Sequence, residues 1–231
     1  MYVVQAVILA GGLGTRVRNI TEDKIPKVML PINGKPFLLY ILDYLKTQNI
    51  KNVVLCVGFK KEIIKDYFRD GRKYGLNLFY SEEKTPLGTA GALKNAERFI
   101  SSDRFLLLNG DTLFKINLDE LLRFHNSKKA KISVALKYLQ NTQRYGRVEI
   151  NSDNAIIQFI EKGIRKQGII NGGLYLMERD VLSLIEKFPS SLEKDVLPML
   201  INKGLYGKVF DEYFIDIGVP EDYERAKREL G

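Results

Sequence analysis

The chain has 231 residues, 45% hydrophobic and 28% charged, an ordinary globular balance that sustains a core without disulfides or structural metal. A single cysteine, Cys56, and a single histidine, His125, exclude an internal disulfide, a thiolate zinc cluster and any site built on several histidines. The net charge of +8 is compatible with plain solubility and also with an anionic ligand.

The basic residues are spread along the chain, and their densest run, Lys128, Lys129 and Lys131, reads as a solvated face. Most aromatic residues fall inside apolar runs, which argues against a nucleic-acid partner. Residues 2–10 form the longest apolar start. They lack a basic leader and are too short to span a bilayer, so a cytoplasmic protein with no membrane partner is expected.

Taken in order, nearly continuous apolar runs at 3–9, 52–57, 76–80 and 105–108 predict parallel strands covered on both faces. Helical patterns lie between them. Residues 36–48 open with Pro36 at the first helical position and set Phe37, Leu38, Ile41, Leu42 and Leu45 on one stripe. Residues 61–69 are expected to bury Ile63, Ile64, Tyr67 and Phe68. Residues 118–125 follow Asn117, with Glu120 three residues on, a capping-box pattern. This β-α-β-α order predicts a right-handed, doubly wound α/β sheet.

Beyond about residue 130 the pattern changes without a linker. Residues 131–138 alternate strictly, placing Ile132, Val134, Leu136 and Tyr138 on one face. Residues 146–150 and 155–160 flank Asn151-Ser152-Asp153-Asn154 and read as a hairpin. Ser190 and Glu193 form a capping-box pattern ahead of a helix over 193–200. A last helix from Pro220 to about residue 229 carries Glu221 and Asp222 in its first turn and Lys227 and Arg228 in its last, which suits the helix dipole. The second half is therefore expected to be mixed or antiparallel.

The most informative segment follows the first strand: Leu9-Ala10-Gly11-Gly12-Leu13-Gly14-Thr15-Arg16. A strand running into a glycine-rich turn exposes backbone N–H groups that can surround phosphate oxygens. A dinucleotide fingerprint fails because Val17 stands where the third glycine is needed, and a Walker A loop fails because Pro36 follows Gly34-Lys35. What remains is three glycines, Arg16, and then Pro26-Lys27. Arg16 and Lys27 can hold two separate phosphates.

These residues resemble the signature of the sugar-1-phosphate nucleotidyltransferases, and further motifs recur in order along the whole chain. Leu87-Gly88-Thr89-Ala90-Gly91 resembles that family's base-contacting loop, and Asn109-Gly110-Asp111 its metal aspartate motif. Phe159-Ile160-Glu161-Lys162 resembles its sugar and phosphate contacts, Asn171-Gly172-Gly173 its sugar-pocket strand, and Phe214-Ile215-Asp216-Ile217-Gly218 its second metal aspartate. The resemblance implies a Rossmann-like mixed, mostly parallel sheet flanked by helices, with a small antiparallel sugar-binding extension. It also implies one domain over 1–231, with a nucleotide-binding half over 1–130 and a sugar-phosphate-binding half over 131–231.

The implied reaction is nucleotidyl transfer. A phosphate oxygen of a sugar 1-phosphate attacks the α-phosphorus of an NTP in line, and pyrophosphate leaves. Catalysis of this kind rests on positioning and electrostatics. The resemblance assigns Arg16, Lys27 and Asp111 to catalysis, and magnesium to Asp111 and Asp216. It assigns the nucleotide to Leu9, Ala10, Gly11, Gly12, Gly14, Thr15, Arg16, Lys27, Glu83, Gly88 and Thr89. The sugar phosphate falls to Asn109, Gly146, Glu161, Lys162, Asn171, Gly172 and Glu193. Asp216, an acid within an apolar run, needs a partner on physical grounds as well, either a cation or an ion pair.

Glu83 stands five residues before Gly88, where some pyrimidine-using relatives carry Gln. A carboxylate can accept both N1–H and N2–H₂ of guanine, which favours GTP, although it can also accept N3–H of uracil. The short chain resembles the bacterial branch that uses D-glycero-α-D-manno-heptose 1-phosphate. Mannose 1-phosphate guanylylation and sugar 1-phosphate uridylylation are the alternatives, followed by a cytidylyltransferase and a nucleotide-binding regulatory paralogue; a homodimer is the expected assembly. His125 reads as a satisfied edge-of-core residue and Cys56 as an inert core residue. Tyr138 and Tyr175 read as packing residues, and Tyr145 as a possible sugar neighbour.

Overall fold

A computed structural model describes residues 5–12, 14, 17–160 and 167–230. In chain order, the first half comprises β1 (Gln5–Leu9), α1 (Arg18–Thr21), β2 (Pro31–Ile32), β3 (Lys35–Pro36), α2 (Phe37–Thr47), β4 (Asn52–Val57), α3 (Lys61–Phe68), β5 (Asn77–Glu82), α4 (Gly88–Asn95), β6 (Arg104–Asn109), β7 (Thr112–Phe114) and α5 (Leu118–Lys128). The second half comprises β8 (Ile132–Leu139), β9 (Arg147–Ile150), β10 (Ile156–Ile160), β11 (Gly168–Glu178), β12 (Leu205–Val209), β13 (Phe214–Asp216) and α6 (Pro220–Glu229).

The central sheet is mixed. Strands β6, β1, β4 and β5 run parallel in that order. The long β11 pairs antiparallel with β6 through Leu174–Glu178, and with β8 on its other side. Strand β12 joins β8 in parallel, and the β9–β10 hairpin attaches to β11 at Ile170. The expected Rossmann-like sheet with an antiparallel extension is thus the observed one.

Successive residues of the parallel strands serve opposite faces, and both faces are apolar. Ala6, Ile8, Val53, Leu55, Leu106 and Leu108 pack beneath α2, α3 and α6, whereas Val7, Val54, Cys56, Phe105 and Leu107 pack beneath α4. Full burial of each such Val or Leu contributes about 1.5–3 kcal/mol, which leaves little freedom of register. Among the described residues, no helix is long and apolar enough to cross a membrane.

Several local expectations are corrected. Pro36 does not occupy the first helical position. It is extended (φ −64°, ψ 143°), pairs with Pro31 in the β2–β3 ribbon and caps α2 from outside. On α3, Ile64 and Phe68 are buried, but Tyr67 is 43% exposed and Ile63 only partly covered. Strand β8 is buried on both faces from Ile132 to Leu136, whereas Tyr138 is exposed. The capping serine of the 193–200 segment is Ser191, whose Oγ accepts from Lys194 N, and the segment is a π-helical turn followed by a 3₁₀ turn. Asn117 does cap α5, its Oδ1 accepting from Glu120 N. His125 is buried between Ser133 Oγ (2.9 Å) and Glu178 Oε1 (3.0 Å), and Cys56 is buried in β4.

Candidate active site

Strands β1 and β6 lie side by side, with Leu9 opposite Asn109, and their neighbours lie on opposite sides. In open α/β sheets the crevice beyond the carboxyl ends of such a strand pair is where ligands bind. The two strand ends are stitched together. Gly110 N donates to Leu9 O (2.9 Å), and Ala10 N donates to Cys56 O (2.8 Å) on β4.

A cleft of about 500 Å³ opens there. The glycine-rich turn forms one wall with Leu9, Ala10, Gly11, Gly12 and Gly14. Glu83, Pro86, Gly88 and Thr89 line the cleft too, together with Lys27, Asn109, Asp111 and Glu193. Glu83 leaves the end of β5 beside two glycines. A Cβ on Gly11 or Gly58 would fall 2.5 Å from Glu83 Oε1, so the carboxylate occupies space that only glycine leaves open. Glu83 Oε2 accepts from Leu87 N (3.3 Å). Burial pushes the Glu83 carboxyl above its ordinary range, and the Leu87 N–H offsets part of that.

A second cavity of about 380 Å³ continues from the first and shares Asn109, Asp111 and Glu193 with it. The β9–β10 hairpin contributes Arg147, Val148, Phe159 and Ile160; Tyr145 and Gly146 precede it, and Asn171, Gly173 and Tyr175 come from β11. Asn171 is clamped. Its Nδ2 donates to Tyr175 Oη (2.8 Å), and its Oδ1 accepts from Gly173 N (3.0 Å). Burial raises the Tyr175 phenol far above its usual range, and the nearby Glu193 charge adds to this. Tyr145 is raised by burial and by the charges of Asp216 and Asp222, so both phenols stay protonated at neutral pH.

The two acids meet through the small β7–β13 ladder. Asp216 stands opposite Thr112, and Ile217 N donates to Asp111 O (2.9 Å). Both carboxylates line the second cavity. Asp216 Oδ1 accepts from Gly218 N (2.6 Å), while Asp111 Oδ2 accepts from the Lys27 ammonium. Among the described residues, no group of three or more His, Cys, Asp or Glu could hold a metal ion. A pair of hard carboxylate donors beside a glycine-lined cleft is a set that fits magnesium, which commonly takes its remaining ligands from water and substrate phosphates.

Among the described residues, the expected site residues converge on the two cavities, with Gly172 the exception. Gly172 does not line the cavity. The register of β11 against β8 shifts between Asn171 and Leu174, and a Cβ on Gly172 would fall 2.6 Å from the Phe114 ring and 2.7 Å from Ala135 O. Its role is close packing, and Gly173 (φ +70°) takes the wall position. Thr15, Arg16, Glu161 and Lys162 lie outside the described residues. Sequence reasoning missed Arg144, Ser191 and Lys194, which also line the second cavity. Arg144 is ion-paired with the buried Asp222 of α6, a partner too distant in sequence for spacing to reveal.

The profile of the family described as nucleotidyl transferase matches residues 5–231. This chain belongs to the nucleotidyl transferase family. Among curated relatives, the D-glycero-alpha-D-manno-heptose 1-phosphate guanylyltransferase of Campylobacter jejuni is 47% identical over 95% of this chain and 97% of its own length. The protein of the same name from Aneurinibacillus thermoaerophilus is 44% identical, with 98% of each chain covered. Among solved structures, HddC from Yersinia pseudotuberculosis complexed with GMP-PN superposes with a TM-score of 0.88. It is 33% identical over 99% of this chain and 100% of that one. The nucleotidyltransferase fold expected from the motifs is thus the fold of this chain and of its relatives.

Proposed function

We propose that this nucleotidyl transferase joins GTP and D-glycero-α-D-manno-heptose 1-phosphate to give GDP-heptose and pyrophosphate. The observation that carries the reading is the pair of contiguous cavities meeting at Asn109, Asp111 and Glu193. A transfer between two bound anions needs two adjoining subsites and a charged junction. The high identity to heptose 1-phosphate guanylyltransferases over nearly the whole chain supports the choice of base and sugar.

In this reading the two halves divide the work. Residues 1–130 bind the nucleotide. The glycine-rich turn cradles the triphosphate with backbone N–H groups, Arg16 and Lys27 neutralise it, and Arg16 stabilises the departing pyrophosphate. Glu83 accepts the guanine N1–H and N2–H₂, and Gly88 lets backbone approach the base. Residues 131–231 bind the sugar phosphate. Glu161, Asn171 and Glu193 take the sugar hydroxyls, Gly146 leaves room for the ring, and Lys162 holds the phosphate. Asp111 and Asp216 are the residues that would hold magnesium, and the chemistry it would supply there is neutralisation of phosphate charge. Direct in-line attack is favoured over a covalent intermediate, since Cys56 and His125 are both buried and neither lines either cavity.

The test is pyrophosphate release with GTP, heptose 1-phosphate and magnesium. Production of GDP-heptose supports the reading, and its absence in a folded protein contradicts it.

A further inference from the structure

The nucleotide wall and the sugar wall are latched to each other far from any sequence neighbour. Ser190 N donates to Leu87 O (2.8 Å), and Ala90 N and Gly91 N donate back to Ser190 O (2.9 and 3.3 Å). Beside this backbone latch lies a side-chain relay. Leu192 N donates to Thr89 Oγ1 (2.7 Å), and Thr89 Oγ1 donates to Glu193 Oε2 (2.9 Å), 104 residues away. Ser191 Oγ donates to the same Oε2 (3.1 Å). A hydroxyl has one proton to give. With Leu192 N on its acceptor side, Thr89 commits that proton to Glu193. Among the described residues, nothing donates to Glu193 Oε1.

Glu193 lines both cavities, whereas Thr89 lines only the nucleotide side, on the first turn of α4. We propose that Thr89 is a positioning residue for the sugar 1-phosphate: its hydroxyl, carried on the nucleotide wall, fixes the Glu193 carboxylate so that Oε1 is left to accept from a sugar hydroxyl. A glutamate held at one oxygen presents the other at a defined place, and without the hold it samples several rotamers. The link makes one wall of the sugar subsite dependent on an element of the nucleotide subsite. This inference rests on the reading of Glu193 as a sugar contact.

The test uses Thr89→Val, which keeps shape and removes the hydroxyl, and Thr89→Ser, which keeps the hydroxyl. Loss of one hydrogen bond to a charged group should raise KM for heptose 1-phosphate about tenfold in T89V. The dissociation constant of a non-hydrolysable GTP analogue, read by calorimetry, should rise by a clearly smaller factor than the sugar KM, because Thr89 also lines the nucleotide cleft, and T89S should recover the sugar KM to within about twofold. In T89V/E193A the sugar KM should match that of E193A alone, because the relay ends at the Glu193 carboxylate. Equal weakening of GTP analogue and sugar in T89V, or effects that multiply in the double variant, would overturn the proposal. T89A serves as the second hydroxyl-free variant should the valine not fold. A parent protein inactive on GTP and heptose 1-phosphate would sink the underlying reading, whereas an active parent without the KM split in T89V sinks only this inference.

Discussion

The Lys27 ammonium donates to Asp111 Oδ2 across 84 residues of sequence, tying the segment after β1 to the turn after β6. Lys27 is 11% exposed at its side chain and Asp111 27%, so the pair is largely withdrawn from water. In the proposed mechanism the lysine holds the acid in place and supplies the triphosphate with a counter-charge. Lys27→Met should lower kcat/KM by about 100-fold or more, roughly 3 kcal/mol of transition-state stabilisation, in steady-state pyrophosphate release. Lys27→Arg should not restore it, because the site accommodates a compact point charge and a guanidinium is a planar fork.

Glu83 is where base choice should be set. Its carboxyl titrates above the ordinary 4.5 because it is partly buried. The sign follows. The cost of holding it ionised is absent well below that value and appears as pH rises through its raised pKa, so Glu83→Gln should be no less stable than the parent at pH 7 by thermal melting. The same substitution removes the acceptor pair for guanine. The ratio of kcat/KM for GTP over UTP should fall about 100-fold, and the parent's GTP affinity should weaken as pH is lowered toward the Glu83 range.

His125 sets an acid limit unrelated to chemistry. Burial holds its pKa below the ordinary 6.5; Glu178 raises it in opposition, and Arg104 adds to the lowering. A histidine depressed in the folded state contributes stability that is fully present above 6.5 and is lost as pH falls through the folded value. Urea unfolding at pH 7.5 and 5.5 should show that loss in the parent. His125→Gln should be less stable by about 1–3 kcal/mol at pH 7.5, through disrupted bonds to Ser133 and Glu178, and should lose less stability on acidification than the parent.

Gly88 combines φ +75° with a site where a Cβ would fall 2.3 Å from Ser190 O. Gly88→Ala must therefore strain the backbone and break the latch between the two walls. Destabilisation of about 3 kcal/mol or more, with loss of GTP-analogue binding, is expected in melting and calorimetry.

Some of this was legible in the sequence and some was not. Strand β4 and helix α6 were readable to the residue, because a continuous apolar run and a proline at the helix start leave few alternatives. That the glycine-rich turn, Asp111 and Asp216 gather around adjoining cavities was legible through their motifs. Tyr67 was misjudged because the apolar residues of α3 spread over a wide arc, of which the sheet covers only the part holding Ile64 and Phe68. Gly172 was misassigned because a register shift cannot be read from one strand alone; it depends on the partner strand β8. The Thr89–Glu193 bond was invisible because only the tertiary fold brings α4 against the 192–196 turn.

The most direct test is a magnesium-dependent pyrophosphate-release assay that crosses ATP, CTP, GTP and UTP with heptose, mannose, glucose and N-acetylglucosamine 1-phosphates. The account predicts the highest kcat/KM for GTP with the heptose phosphate. A higher value for any other pair would contradict it.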